Sequence, residues 1–287
     1  MSEGAAANVA NVPARQLWVG HVPDAVVAAE LCRRREGEGF HGVNFGDSQN
    51  RYGDPYVAMA LGISSTSTLE LGTLVTNPIT RHPAVTAAAA GSLQAASRGR
   101  VSIGIGTGDS ALAHLGAAPA PLAVLARYVS MLRAYGAGSE VSFEDSLACL
   151  PRAGRDLPVV ESLALSGRPA VSQIQWLPGD EDPVPINVFA TGPKTIDMAA
   201  AVGDRVTFSV GADPRRVRWA IDRARNACAA AGKDPALLDI GASVVVGLHD
   251  DADTARAMIA ATVATTPAGP SCTARPRDRS HEMPNQC

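Results

Sequence analysis

The chain has 287 residues and a formal net charge of -3, and 18% of its residues are charged. This balance argues against a nucleic-acid-binding protein with a large basic surface, and a hydrophobic fraction of 46% argues against a disordered or fibrous chain. The five cysteines form no Cys-x-x-Cys pair. They therefore predict neither a disulfide framework nor a zinc site, which is typical of a reducing, cytoplasmic compartment.

Short β-branched runs alternate with alanine-rich stretches along the chain. Strands are predicted at 16–20, 41–46, 68–75, 100–106, 185–190, 205–210 and 239–248. Helices are predicted at 24–38, 54–62, 83–97, 119–135, 193–202, 214–231 and 251–263. Strands that are apolar on both faces and separated by helices favour a parallel sheet covered by helices. Seven such units predict an α/β protein of the (β/α)8 TIM-barrel type, with a doubly wound sheet as the alternative.

Three segments do not follow this alternation of strands and helices. Residues 137–184 form an insertion between the fourth predicted helix and the fifth strand, with strand-like runs at 157–160 and 172–177. Its length favours a functional insertion or a lid. Residues 1–14 are predicted to be a disordered tail, and 265–287 an irregular tail rich in Pro, Arg and Ser. The barrel domain is therefore expected at 15–264, without an eighth strand and helix. The absence of an apolar run of about 18 residues predicts no membrane span.

Small, polar and glycine residues follow five of the predicted strands. They occupy 46–49, 76–83, 106–110, 191–194 and 209–211. In a (β/α)8 barrel, ligands bind at the carboxyl ends of the strands, and such loops let backbone N–H groups approach a phosphate or a ring. Taken singly, each residue also has a structural explanation as a turn glycine, a helix cap or a surface ion pair. The shared character of the five segments favours a binding site.

Two other kinds of site are disfavoured. Gly106, Gly108 and Ala111 match the dinucleotide pattern G-x-G-x-x-A. However, this run belongs to the fourth strand–helix unit, and no acidic residue follows about 20 residues later, as a Rossmann site requires. The six histidines form no close pair, so no metal site is predicted. An organic cofactor is left as the expected source of chemistry.

The segment at 76–116, TNPITRHPAVTAAAAGSLQAASRGRVSIGIGTGDSALAHLG, resembles the luciferase-like monooxygenase superfamily. More narrowly, it is similar to the branch that uses coenzyme F420, an 8-hydroxy-5-deazaflavin, typified by methylenetetrahydromethanopterin reductase. The runs GFHGVNFGDSQ, ATGPK and DRVTFSVGADP match the same superfamily, so the resemblance covers about 17–248.

The resemblance implies a (β/α)8 barrel, usually a homodimer, that binds its coenzyme across the carboxyl ends of the strands. It implies hydride transfer between coenzyme F420 and a small organic substrate. Two alternatives stay open: an FMN-dependent monooxygenase that uses O2, and a non-catalytic truncated barrel. The resemblance also implies a non-prolyl cis peptide near Leu74-Val75.

Site residues follow from the same motifs. The resemblance implies catalytic roles for Asp47 and Asp109. The coenzyme ring would contact Asp47, Leu74, Val75, Thr76, Asn77, Gly106, Gly108 and Asp109. The phosphate-bearing tail would contact Thr191, Gly192, Pro193, Lys194, Ser209, Val210 and Gly211.

Two departures from the superfamily pattern stand out. Ser48 follows Asp47, where some F420-dependent dehydrogenases have histidine, which argues against a sugar-phosphate dehydrogenase. In place of the eighth unit, the chain continues with TTPAGPSCTARP. This segment suggests a frameshifted or truncated carboxyl terminus and hence an open sheet edge.

Overall fold

The seven predicted strands form one parallel sheet in a computed structural model that describes residues 15–150, 157–158, 160–162, 166–177 and 182–265. They are β1 Trp18–His21, β2 Gly42–Phe45, β3 Glu70–Thr73, β4 Val101–Ile105, β5 Ile186–Ala190, β6 Arg205–Phe208 and β7 Asp239–Ala242. Each strand pairs with the next along the chain, from β1 to β7. This sequential order is that of a barrel and excludes the doubly wound alternative, in which the strand order reverses. Within the described residues no eighth strand joins β7 to β1, so the sheet is a (β/α)8-type barrel that lacks one unit.

Nine helices lie within the described part of the chain. They are α1 Ala28–Gly37, α2 Pro55–Ser65, α3 Pro83–Ser97, α4 Asp109–Ala113, α5 Leu122–Gly136, α6 Phe143–Ala148, α7 Pro193–Val202, α8 Pro214–Ala230 and α9 Ala252–Thr265. Proline in the first turn begins α2, α3, α7 and α8, because proline has no N–H to leave unpaired there. The helices predicted to begin at 83, 193 and 214 start at those residues. The sequence does not predict α4 and α6, since five and six residues are too few for a helical period.

Several predicted boundaries are wrong. The strand expected at 239–248 ends at Ala242. The Ser243 N–H still donates to the Phe208 carbonyl at 2.8 Å, but the residues after it form no strand among those described, and Val246 and Leu248 are 71% and 87% exposed. The runs at 157–160 and 172–177 form no strand where they are described, apart from a single antiparallel bridge between Val141 and Ser172. The predicted tail at 1–14 and most of that at 265–287 lie outside the described residues.

The core lies between the sheet and the helices packed around it. Alternate strand residues point outward into this layer, and α2, α3, α5, α7 and α8 cover them with apolar side chains. The large side chains that are fully buried there include Phe45, Met59, Leu71, Ile105, Leu125, Ile196 and Phe208. No helix among the described residues is both long and apolar enough to cross a membrane.

The first part of the insertion is fastened to α3 and α5. The Tyr135 hydroxyl donates to Ser146 Oγ at 2.9 Å and lies 2.7 Å from Ser172 Oγ. His82 Nε2 lies 2.9 Å from the Ser146 carbonyl oxygen. Ser146 and Ser172 are therefore held at the end of the sheet where the strands finish.

Glu36, near the end of α1, connects this helix to the segment before β3. Its carboxylate accepts hydrogen bonds from the backbone N–H groups of Ser67, Thr68 and Leu69 at 2.6–3.0 Å, and another from the Thr68 hydroxyl. Burial would raise the pKa of Glu36, but these hydrogen bonds outweigh it and lower the pKa to about 2.

We expect Glu36→Gln to lower the free energy of unfolding by about 1–2 kcal/mol at neutral pH, because the uncharged amide is a weaker acceptor. The folded-state pKa lies below its ordinary value of 4.5, so the carboxylate's contribution is complete above that value. It is lost as the pH falls toward about 2. Urea denaturation across this range measures the difference between the two proteins.

Glu30→Gln on the same helix is the matched control, since its carboxylate forms an exposed i,i+3 ion pair with Arg33. It should change the free energy of unfolding by less than about 0.5 kcal/mol. An equal loss in both variants, or a pH-independent loss at Glu36, would contradict the assignment.

Candidate functional site

The loops after β2 and β4 are joined at the carboxyl ends of the strands. Ser48 Oγ lies 3.4 Å from Ser110 Oγ, and Gln49 Nε2 donates to the Ala111 carbonyl oxygen at 3.1 Å. Arg51 Nη1 donates to Ser110 Oγ at 3.1 Å. The loop that carries Asp47 is thus fastened onto α4.

The ends of β3 and β4 stay paired beyond the strands themselves. The Thr76 N–H donates to the Gly104 carbonyl at 2.9 Å, and the Gly106 N–H donates to the Thr76 carbonyl at 3.0 Å. The Leu74-Val75 peptide bond in this segment is cis, which confirms the expectation from the sequence. Thr76 is fully buried at this junction.

Asn77 and Gly108 form the tight contact between these two loops. Asn77 Oδ1 accepts from the N–H groups of Ile79 and Thr80, both at 3.0 Å, so the amide shapes its own turn. Gly108 has φ +85°, and a Cβ atom there would lie 2.6 Å from Asn77 Cβ. Only glycine fits this position, because a side chain would meet both backbone strain and a clash.

Asp47 is the buried carboxyl of this site. Asp47 follows β2 in the chain and is 9% exposed. Among the described residues, neither Asp47 Oδ2 nor the hydroxyl oxygens of Thr76 and Tyr56 have a hydrogen-bond partner. Burial raises the pKa of Asp47, and the nearby Thr76 hydroxyl and Arg81 guanidinium offset only part of this rise. The site therefore holds a carboxyl that is protonated more easily than usual, beside two buried hydroxyls that have no hydrogen-bond partner among the described residues.

Arg81 connects the loop after β3 to the start of α2. Its guanidinium pairs with Asp54, whose carboxylate also caps α2, and lies 4.7 Å from the centre of the Tyr56 ring. A cavity of about 530 Å³ opens beside Asp47 and is lined by Tyr52, Asp54, Arg81 and His82 among others. The buried carboxyl is therefore reachable from a polar pocket at the rim.

Asp109 differs from Asp47 in its surroundings. It is the first residue of α4 and is exposed. Its Oδ1 accepts a hydrogen bond of 2.6 Å from the Thr107 hydroxyl. The sequence presents the two acids alike, whereas the structure buries one and leaves the other at the rim.

The ends of β5 and β6 form a second group at the same edge of the sheet. The Ser209 N–H donates to the Ala190 carbonyl at 3.0 Å, which keeps the two loops adjacent. Thr191 and Lys194 are exposed, while Val210 is buried. Helix α7 begins at Pro193 with Gly192 as its cap, so no side chain covers its first N–H groups.

Sequence reasoning missed the polar residues behind Asp47. Tyr56 lies in α2 and is only 8% exposed. The Thr86 and Tyr128 hydroxyls, on α3 and α5, lie 2.6 Å apart. The signal available was a lone phenol in the apolar helix PYVAMALGISS.

Histidine plays a structural part at this edge. His82 is a helix cap, since its Nδ1 accepts from the Ala84 N–H at 3.2 Å. In the part of the chain that is described, no group of three or more His, Cys, Asp or Glu could hold a metal ion.

Comparison with known proteins places this architecture among characterised relatives. The sequence profile of the family described as "Luciferase-like monooxygenase" matches residues 12–285. The chain is 28% identical over 243 residues to 5,10-methylenetetrahydromethanopterin reductase of Methanolobus tindarius, covering 84% of this chain and 67% of that protein. It is 30% identical over 209 residues to F420-dependent hydroxymycolic acid dehydrogenase of Mycobacterium tuberculosis, covering 71% and 52%.

A solved structure supports the fold. The coenzyme F420 dependent tetrahydromethanopterin reductase of Methanopyrus kandleri superposes with a TM-score of 0.70 at 20% identity, over 88% of this chain and 73% of that one. The chain spans about two thirds of the Methanolobus reductase and about half of the mycobacterial dehydrogenase.

Proposed function

Because this chain belongs to the luciferase-like monooxygenase family, we propose that it is an oxidoreductase that transfers a hydride between coenzyme F420 and an organic substrate. The two relatives are a reductase and a dehydrogenase by name, which supports the oxidoreductase class. Coenzyme F420 is part of the names of the mycobacterial dehydrogenase and of the Methanopyrus reductase. The substrate is proposed to be a small organic molecule.

The observation that carries the proposal is a set of buried polar atoms, on Asp47, Tyr56 and Thr76, that have no hydrogen-bond partner within the described part of the chain. A buried polar group without a hydrogen bond costs about 1–3 kcal/mol, so a ligand that pairs with these atoms is bound more tightly. A deazaflavin ring carries both N–H and C=O groups and can pair with a carboxyl and with hydroxyls. The residues present therefore fit such a ring.

The residues around the ring would have different roles in binding and proton transfer. Bound coenzyme F420 supplies the hydride chemistry, which no protein side chain provides. Asp47 would hold a proton at Oδ2 close to the reacting atoms, where its raised pKa favours proton transfer. Asp109 would contact the ring from the exposed rim. The backbone at the ring would come from Leu74, Val75, Thr76, Asn77, Gly106 and Gly108.

The second group of loops would bind the phosphate-bearing tail of the coenzyme. The first N–H groups of α7 have no side-chain cap, and Lys194 adds a positive charge beside them. The residues proposed to contact the tail are Thr191, Gly192, Pro193, Lys194, Ser209, Val210 and Gly211.

Titration of the purified protein with each coenzyme tests the proposal. We expect saturable binding of coenzyme F420, followed by its fluorescence, and at least tenfold weaker binding of FMN (about 1.4 kcal/mol). Binding of FMN alone would contradict the F420 assignment. Binding of neither coenzyme would contradict both enzyme functions and favour a non-catalytic barrel.

An FMN-dependent monooxygenase is the second candidate function, since the family's own description is that of a monooxygenase. If FMN binds instead, the reduced flavoprotein should consume O2 in the presence of a substrate. Anaerobic reduction of bound coenzyme F420 by a substrate would support the first function.

A further inference from the structure

Helix α4, which begins with Asp109, is held in place by other parts of the chain. It has only five residues, and isolated helices shorter than about 12–15 residues are marginal in water. Its N-cap is Gly108, which has no side chain to cap the first turn. The buried side chains of Ala111 and Leu112 anchor its inner face. The contacts on its other faces therefore determine where Asp109 lies.

Four consecutive side chains of the loop after β2 contact α4 or the turn that follows it. Ser48, Gln49 and Arg51 contact residues of α4. Asn50 Nδ2 donates to the His114 carbonyl oxygen at 3.0 Å. Strand β3 lies between β2 and β4 in the sheet, so these contacts cross the carboxyl end of β3. The loop after β2 and α4 are therefore joined directly to each other.

Arg51 contacts both α4 and the wall of the cavity beside Asp47. Its Nη1 donates to Ser110 Oγ at 3.1 Å, and its guanidinium carbon lies 4.9 Å from the centre of the Tyr52 ring. A guanidinium at this distance is attracted to the face of an aromatic ring. Tyr52 lines the cavity, and a Cβ atom on Gly46 would lie 3.4 Å from its ring. One arginine therefore connects α4 to the ring that packs against the neighbour of Asp47.

The two acids of the site lie at the two ends of this connection. Asp47 directly follows Gly46, and Asp109 directly precedes Ser110. Gln49 provides a second connection, since it lines the same cavity and donates to a backbone carbonyl oxygen of α4 at 3.1 Å. A displacement of α4 is therefore transmitted to the wall beside the buried carboxyl.

We propose that Arg51 is a positioning residue: it couples α4 to the cavity wall and so sets where Asp109 lies relative to Asp47. The consequence for coenzyme binding rests on the proposed function, whereas the coupling is a property of the chain alone. A planar guanidinium can donate from its edge to Ser110 while its face covers Tyr52. A lysine ammonium is a point charge without this geometry, so lysine at this position does not replace arginine.

Hydrogen exchange of the full-length protein without coenzyme measures the coupling. The N–H groups of Leu112 and Ala117 donate to backbone carbonyls in this segment, so their exchange reports whether α4 stays in place. We expect Arg51→Ala and Arg51→Lys to speed this exchange about tenfold, because a hydrogen bond from a charged group is lost. Arg33→Ala is the matched control, since Arg33 is an exposed arginine that pairs with Glu30 on α1. Its α4 should exchange as in the unmodified protein.

Titration with coenzyme F420 separates a positioning role from a merely structural one. We expect Arg51→Ala and Arg51→Lys to bind the coenzyme about tenfold more weakly than the unmodified protein. Their melting temperatures should stay close to that of Arg33→Ala, because Arg51 is exposed and lies outside the core. A merely structural role predicts the reverse, a lower melting temperature with unchanged affinity.

Unchanged exchange of α4 in Arg51→Ala would overturn the proposal, and so would unchanged coenzyme affinity in a variant whose α4 exchanges faster. Normal affinity in Arg51→Lys would overturn it as well, because a positive charge alone would then be sufficient. If Arg51→Ala does not fold, Gln49→Ala takes its place in both measurements. If the unmodified protein does not bind coenzyme F420, the proposed function is contradicted, while hydrogen exchange still decides whether Arg51 holds α4.

Discussion

Replacement of Asp47 by leucine is expected to weaken coenzyme F420 binding about tenfold or more and, at the same time, to stabilise the fold. The leucine side chain fills the site but offers no partner to the coenzyme ring, and a lost charged hydrogen bond is worth about 1.5–3 kcal/mol. The stability gain, about 1–2 kcal/mol, comes from removing a buried carboxyl whose Oδ2 is unpartnered among the described residues.

The stability gain in Asp47→Leu should depend on pH. Burial raises the folded-state pKa of Asp47 above its ordinary value of 3.8. Asp47 therefore destabilises the folded protein least below pH 3.8. The destabilisation grows as the pH rises through the folded-state pKa, because the buried carboxyl then becomes charged. The free energy of unfolding of Asp47→Leu should therefore exceed that of the unmodified protein by the largest amount at neutral and higher pH.

Fluorescence titration and urea denaturation measure the two effects on the same samples. Asp253→Leu is the control, because Asp253 lies on α9 in an exposed ion pair with Arg256 and should change neither quantity much. A variant at Asp47 that binds coenzyme F420 normally would remove Asp47 from the site. One that loses stability would show that the carboxyl has a structural partner.

Replacement of Gly104 by alanine is expected to lower the free energy of unfolding by about 3 kcal/mol or more. A Cβ atom at this position would lie 1.9 Å from the Thr73 carbonyl oxygen. That oxygen belongs to the backbone of β3, and the Thr73 hydroxyl already donates to the Gly104 carbonyl at 2.6 Å. Neither strand can move away without breaking the pairing that holds Thr76 in the site.

Gly136→Ala provides the contrasting case, since a Cβ atom at the end of α5 would meet no described atom within 4 Å. Alanine there should be neutral or stabilise by about 0.5–1 kcal/mol, because it restricts the unfolded chain. Thermal and urea denaturation of both variants check the pair. Equal stability of the two would contradict the close approach of β3 and β4.

The number of the strands and their approximate positions could be predicted because each is a local property of the sequence, whereas their order in the sheet distinguished the barrel from the doubly wound alternative only in the structure. A strand such as 186–190 is a short apolar run, and the proline at 193 marks where the next helix begins. Alternation of the two then leaves few parallel arrangements. Strand ends were less predictable: β7 stops at Ala242 because pairing, and not the valine run after it, decides where a strand finishes.

The resemblance to a known family supplied the position of the cis peptide, whereas the loops at the carboxyl ends of the strands followed from the general geometry of a (β/α)8 barrel. It treated Asp47 and Asp109 alike, as acids that each follow a strand. Only packing separates them: Asp47 is 9% exposed beside Tyr56, whereas Asp109 is exposed at the start of α4.

The sequence by itself determined the alternation of strands and helices, the starts of the main helices and the polar loops after the strands, since these follow from local periodicity and turn chemistry. Only the tertiary structure decided which polar groups are buried without a partner among the described residues. Tyr56, Thr86 and Tyr128 lie on three different helices, and no local pattern reports that they converge behind Asp47. Burial and the pKa of a carboxyl depend on residues far apart in the chain, which meet only when the helices pack on the sheet.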